Sequence, residues 1–97
     1  AFSMEALAPN KLKKLTIPTS VTSVKNDALC GLYNCKVYFK GKAPKNLYKG
    51  LGNRASITIY YVKKYESGYK SVKKAVDKQV KSDPFSELEV YFKTWKG

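Results

Sequence analysis

Leu15-Thr16-Ile17, Val37-Tyr38-Phe39 and Ile59-Tyr60-Tyr61 stand at even spacing, each 22 residues after the one before. Each triplet reads apolar, outward, apolar, in β-branched and aromatic residues that suit a pleated, half-buried strand. Turn-rich segments separate them: Pro18-Thr19-Ser20, Gly41-Lys42-Ala43-Pro44 and Gly50-Leu51-Gly52-Asn53. A spacing near 22 falls within the roughly 20–29 residues of a leucine-rich repeat. Three antiparallel strands of a small α+β domain, evenly spaced by coincidence, fit the same numbers.

Downstream the period changes. Tyr65, Tyr69, Val72, Val76 and Val80 follow at steps of 4, 3, 4 and 4, one stripe of a helix over about 63–81. Lys63, Lys64, Lys70, Lys73, Lys74, Lys78 and Lys81 take the rest of its circumference. Gly68 weakens the early turns by roughly 1 kcal/mol relative to alanine. Ser82-Asp83-Pro84 ends the helix, because the residue before a proline is pushed out of the helical region. Leu88, Val90 and Phe92 then alternate with Glu89, Tyr91 and Lys93, which predicts a last strand over about 87–95. At the other end, Ala1–Leu7 carries helix formers before Pro9-Asn10 breaks them. No cap residue or initiator methionine precedes it, so the chain reads as a piece of something longer.

The run Leu12–Val24, LKKLTIPTSVTSV, resembles the repeat of BspA-like leucine-rich-repeat proteins, whose pattern is LxxLxIPxSVxxI with AF a few residues later. Ala28-Leu29 stands in place of that last pair, and Ala1-Phe2 looks like the same pair from a preceding repeat. Val37–Pro44 is similar to an irregular closing repeat, and Ile57–Val62 followed by Lys64–Lys70 to a terminal strand and short helix. The likeness covers roughly residues 1–70, about three-quarters of the chain. Lys25 departs from it where the family has glycine, the first loop is longer than usual, and Lys73–Gly97 follows no family pattern. The resemblance implies a bacterial cell-surface or secreted protein used in adhesion or other protein and host contact.

On this reading the fold is α/β: a short leucine-rich-repeat solenoid, one layer of short parallel strands with a helix-plus-strand cap. Residues 1–62 would form two to three coils and residues 63–97 the cap. Leu15, Val37 and Ile59 would make one inward ladder, and Ile17, Phe39 and Tyr61 a second. Val21 and Val24 would complete the core from the opposite wall. The helix stripe would close the open end of the stack.

Residues between the ladders face outward, giving Thr16, Tyr38 and Tyr60 as one row and Lys14, Lys36 and Thr58 as the next. These six are the candidate partner-binding residues, since tyrosine offers contact area at little rotamer cost and sheet faces are the usual recognition surface of solenoids. An ordinary solvated sheet face is the plainer alternative. Cys30 and Cys35 form a CxxxxC pair that fits either a local disulfide or, more simply, buried thiols. The lysine face of the helix suits phosphates or anionic lipids, or simply water.

Composition narrows the function. The chain has 97 residues, 19 Lys+Arg against 7 Asp+Glu, a net charge of +12 and no histidine. Absence of histidine removes the usual general base and the commonest zinc ligand, and two cysteines cannot complete a tetrahedral zinc site. No cofactor motif, glycine-rich phosphate loop or nucleophile with a base partner is present, so no enzyme is expected. No apolar run approaches the 18 or so residues of a spanning helix. Arg54 is the sole arginine. Lysine does not read guanine or phosphate bidentately, which disfavours sequence-specific nucleic-acid recognition. The expected function is therefore a non-catalytic, extracellular or cell-surface interaction module for a protein or host-surface ligand, with an acidic one compatible with the charge. A small basic α+β nucleic-acid-binding domain is the alternative.

Overall fold

The computed structural model describes residues 2–4 and 13–96. Four strands build one sheet in the order β2 (Lys14–Ile17), β4 (Tyr33–Phe39), β5 (Arg54–Val62), β6 (Glu87–Trp95). Every neighbouring pair in it is parallel. Leu15 stands beside Val37, Val37 beside Ile59 and Ile59 beside Phe92. The evenly spaced triplets are thus adjacent parallel strands, not an antiparallel meander. The 22-residue offset holds across β2, β4 and β5 and lengthens to 33 at β6, because a helix is inserted before that strand.

The rest of the chain covers one side of this sheet. β1 (Phe2–Met4) and β3 (Val21–Val24) pair in parallel as a separate two-stranded sheet, and Ser23 bridges Lys45. Phe2–Met4 is extended rather than helical: pairing with β3 overrides the helix propensity of its side chains. The rest of the Ala1–Leu7 expectation, with Leu12, lies outside the described residues. A short helix, α1 (Leu47–Gly50), follows. Asn46 precedes it at φ 67 and donates from Nδ2 to Val24 O and Asn26 Oδ1, both at 2.8 Å. Asparagine tolerates that left-handed conformation, and here its amide ties successive turns of the chain together. Gly50 is a close approach: a Cβ there would run into Val24 Cγ1.

A 3₁₀ turn (Lys63–Tyr65) leads into α2 (Glu66–Ser82), which stops where Asp83, the residue before Pro84, turns extended. Tyr69 anchors α2. Its ring stacks on Tyr61 at 5.0 Å and tilts against Phe39 at 5.6 Å, while its hydroxyl donates to Gly41 O at 2.7 Å. Gly68 has a positional reason that offsets its helix cost, since a Cβ there would press within 3.2 Å of Ala43 Cβ. The helical stripe is only partly inward. Tyr69 and Val76 are buried and Tyr65 and Val72 half-buried, but Val80 is 43% exposed. Val80 lines an open groove beside β6, the edge strand, and among the described residues no further strand lies beyond to cover it.

The core lies between the sheet and this second wall. Val37, Ile59, Ile17, Phe39 and Tyr61 are buried on the inward ladders, and Leu15, on the edge strand β2, is half-buried. Val24, Leu29, Leu32, Leu47 and Leu51 meet them from the other side. Val21 and Val24, expected only as wall residues, are a strand. No helix of the described residues is long and apolar enough to cross a membrane.

Candidate functional site: the uncovered sheet face

Side chains alternate along a strand, so burying one face dictates what the other presents. All six candidate residues lie on the outer face. Lys14, Lys36 and Thr58 form one register row and Thr16, Tyr38 and Tyr60 the next. β6 extends both rows, with Tyr91 beside Thr58 and Lys93 beside Tyr60. Lys14, Thr16 and Lys36 are exposed; Tyr38, Thr58 and Tyr60 are half-buried.

The tyrosines form a built cluster. Tyr38 and Tyr60 stack at 4.5 Å with their planes 10° apart, as directly opposed cross-strand aromatics do. Trp95 meets Tyr38 edge-on at 4.8 Å and donates its indole N–H to Phe39 O at 2.9 Å. The last side chain of β6 therefore reaches over β5 to the backbone of β4. Lys14 Nζ sits 5.1 Å from the Tyr38 ring centroid, a cation–π contact along the diagonal of the register. Farther along the face, a shallow depression of about 290 Å³ opens between Lys36, Ser56, Thr58 and Tyr91.

At the amino ends of the strands, Arg54 Nε lies 2.9 Å from Glu87 Oε2 and donates to the Tyr33 hydroxyl at 3.0 Å. The hydrogen bond from Arg54 to Tyr33, then the charge of Glu87, holds the guanidinium above its ordinary pKa. The single arginine is thus occupied in joining β4, β5 and β6.

The remaining candidates do not converge on this face. Cys30 and Cys35 are free thiols, Cys30 partly exposed in a turn and Cys35 buried in the core. Burial raises the Cys35 pKa and so keeps its thiol protonated. The tyrosines with raised pKa values point inward as well: burial lifts Tyr69, while burial and then the hydrogen bond to Glu66 lift Tyr61. The lysines of α2 stand on its solvent side, where Lys70 pairs with Glu66 at 3.4 Å. Among the described residues no group of three His, Cys, Asp or Glu side chains is placed to hold a metal ion.

Trp95, Tyr91 and Lys93 belong to the face but are not among the six residues expected from the sequence. Their signal is the strand period itself: if Leu88, Val90 and Phe92 point inward, then positions 91, 93 and 95 point outward. The chain matches no protein-family model, no curated protein and no solved structure.

Proposed function

We propose that the chain is the carboxyl-terminal part of a BspA-like leucine-rich-repeat array, working outside or on the surface of a bacterium. It binds a protein or host-surface ligand through the outer sheet face and performs no chemistry. The carrying observation is that, among the described residues, an all-parallel sheet keeps one face open. Parallel sheets are ordinarily covered on both faces. Solenoids are the exception, and they use the open sheet for recognition. The constant 22-residue offset of β2, β4 and β5, and the larger helix-containing unit after them, support an array closed by an atypical terminal unit.

The surface suits contact. Tyr38, Tyr60 and Trp95 brace each other, so little side-chain freedom is lost when a partner covers them. Lys14, Lys36 and Lys93 surround them with ammonium groups that speed encounter with an acidic partner.

The test uses beads coated with the chain and scored for adhesion to immobilised extracellular-matrix proteins. Adhesion that is lost in Tyr38→Ala/Tyr60→Ala and kept in Lys74→Glu/Lys78→Glu supports the proposal. Equal loss in both variants, or no adhesion at all, counts against it. Duplex and single-stranded DNA are titrated in parallel at two salt concentrations. Submicromolar affinity with a steep salt slope would instead support a nucleic-acid-binding domain.

A further inference from the structure

The sheet has two edges of different character. β2 is four residues long, and in the proposed array its open side is where a preceding repeat would pair. β6 is nine residues long, contains no proline, and among the described residues has no strand paired on its outer side. Beside that edge a groove of about 360 Å³ runs between α2 and β6, lined by Val76, Val80, Leu88 and Val90 together with the charged Asp77, Lys81 and Glu89. Val80, on the α2 side, and Tyr91, on the outer face, are 43% and 60% exposed along this edge.

We infer that β6 pairs edge to edge with β6 of a second copy, antiparallel about a two-fold axis at Tyr91. Tyr91 is the midpoint of Glu87–Trp95, so this register pairs all nine residues of each strand. It sets each inward residue against an inward one and each outward against an outward one, as a continuous sheet demands. Opposite pairs then become Glu89 with Lys93, Val90 with Phe92 and Tyr91 with itself, every unlike pair occurring twice. These central pairs match in charge and apolar character, while the outer pairs set Glu87 opposite Trp95 and Leu88 opposite Thr94. Shifting the axis by one position either way keeps facing residues on one side of the sheet but leaves two residues at one end of each strand unpaired; at Val90 it pairs Glu87 rather than Glu89 with Lys93, and at Phe92 it leaves no opposite charges paired.

Net charge selects the same edge. Copies of a +12 chain repel, but Asp77, Asp83, Glu87 and Glu89 place four of the seven acidic residues between positions 77 and 89. The edge is where a basic molecule can best approach its own kind. Pairing there yields an eight-stranded sheet with both outer faces on one side. Two Tyr38/Tyr60/Trp95 clusters would then be presented together, and a bivalent surface gains avidity without new contacts.

The decisive experiment is sedimentation velocity on the full chain from micromolar to millimolar concentration, for the parent and for Glu89→Lys, Lys93→Glu and the double variant. The parent should form a dimer, each single change should weaken it about tenfold by setting like charges opposite each other, and the double change should restore it. Mixing the two single variants should give a heterodimer, because the lysine introduced in one copy then faces the glutamate introduced in the other; that result also proves both variants folded. A parent that stays monomeric throughout overturns the inference. So does a dimer or longer assembly indifferent to the charge changes, which would indicate β6 meeting β2 head to tail or another contact.

Discussion

The two faces of the four-stranded sheet are made by alternate residues of the same strands, and they could hardly differ more. Inside, Val37, Ile59 and Phe39 are sealed against Leu29, Leu47 and Leu51. Outside, their immediate neighbours Tyr38 and Tyr60 touch mainly each other and Trp95. A shift of one position along the chain separates a residue that holds the fold from one that is free to meet something else. Stability resides on one parity and recognition, we propose, on the other.

The sharpest way to break this contrast is to truncate both parities at one place. Ile59→Ala should cost about 2–5 kcal/mol, read by urea denaturation, because it removes a fully buried side chain and leaves a void. Next in size, Gly50→Ala should cost about 1–3 kcal/mol, since its new methyl group meets Val24 and a packed wall must move. If Gly50→Ala is neutral, the second wall is looser than its burial indicates.

Alkaline pH offers a second probe, because three inner-face groups ionise less readily in the folded chain. Cys35, Tyr61 and Tyr69 have native pKa values raised above the ordinary 9.0 and 10.0. Below those ordinary values both folded and unfolded chains keep the proton, and stability from these groups is complete. Above them the unfolded chain ionises first, so stability falls as pH rises through about 9–10 and beyond. Midpoints from urea titrations at about pH 7, 9 and above should show a plateau and then a decline. Tyr69→Phe should be less stable near neutral pH, having lost its bond to Gly41 O, but should show a shallower alkaline decline. An unchanged slope would remove Tyr69 from the account.

The smallest effect belongs to the outer face. Tyr60→Ala loses a stacked partner and little else, so it should cost about 1 kcal/mol in urea. A cost matching that of Ile59→Ala would erase the distinction between the faces.

Much of this is legible in the sequence, for a physical reason. Strand side chains repeat every two residues, so Leu15, Val37 and Ile59 disclose their own facing and that of Thr16, Tyr38 and Tyr60 between them. The helix stripe from Tyr65 to Val76 is just as local. What escapes depends on contacts distant along the chain. Nothing near Trp95 announces that its indole reaches Phe39, 56 residues away. Nor does the spacing of Val80 reveal that the sheet ends beside it. Val21–Val24 is a strand through pairing with Phe2–Met4, although its own residues promise only a buried wall.

The equal offset between β2, β4 and β5 also governs how the chain can change length. Deleting the 22 residues from Val37 to Thr58 brings Leu15 beside Ile59 and Thr16 beside Tyr60, with the inward and outward sets unmixed. Deleting a single residue within β4 does the reverse, turning Tyr38 toward the core and its apolar neighbours toward water. A large excision in step with the strands is therefore gentler on the pattern than the smallest slip out of step. Insertions obey the same arithmetic, so descendants of this chain should grow or shrink by whole strands and their turns.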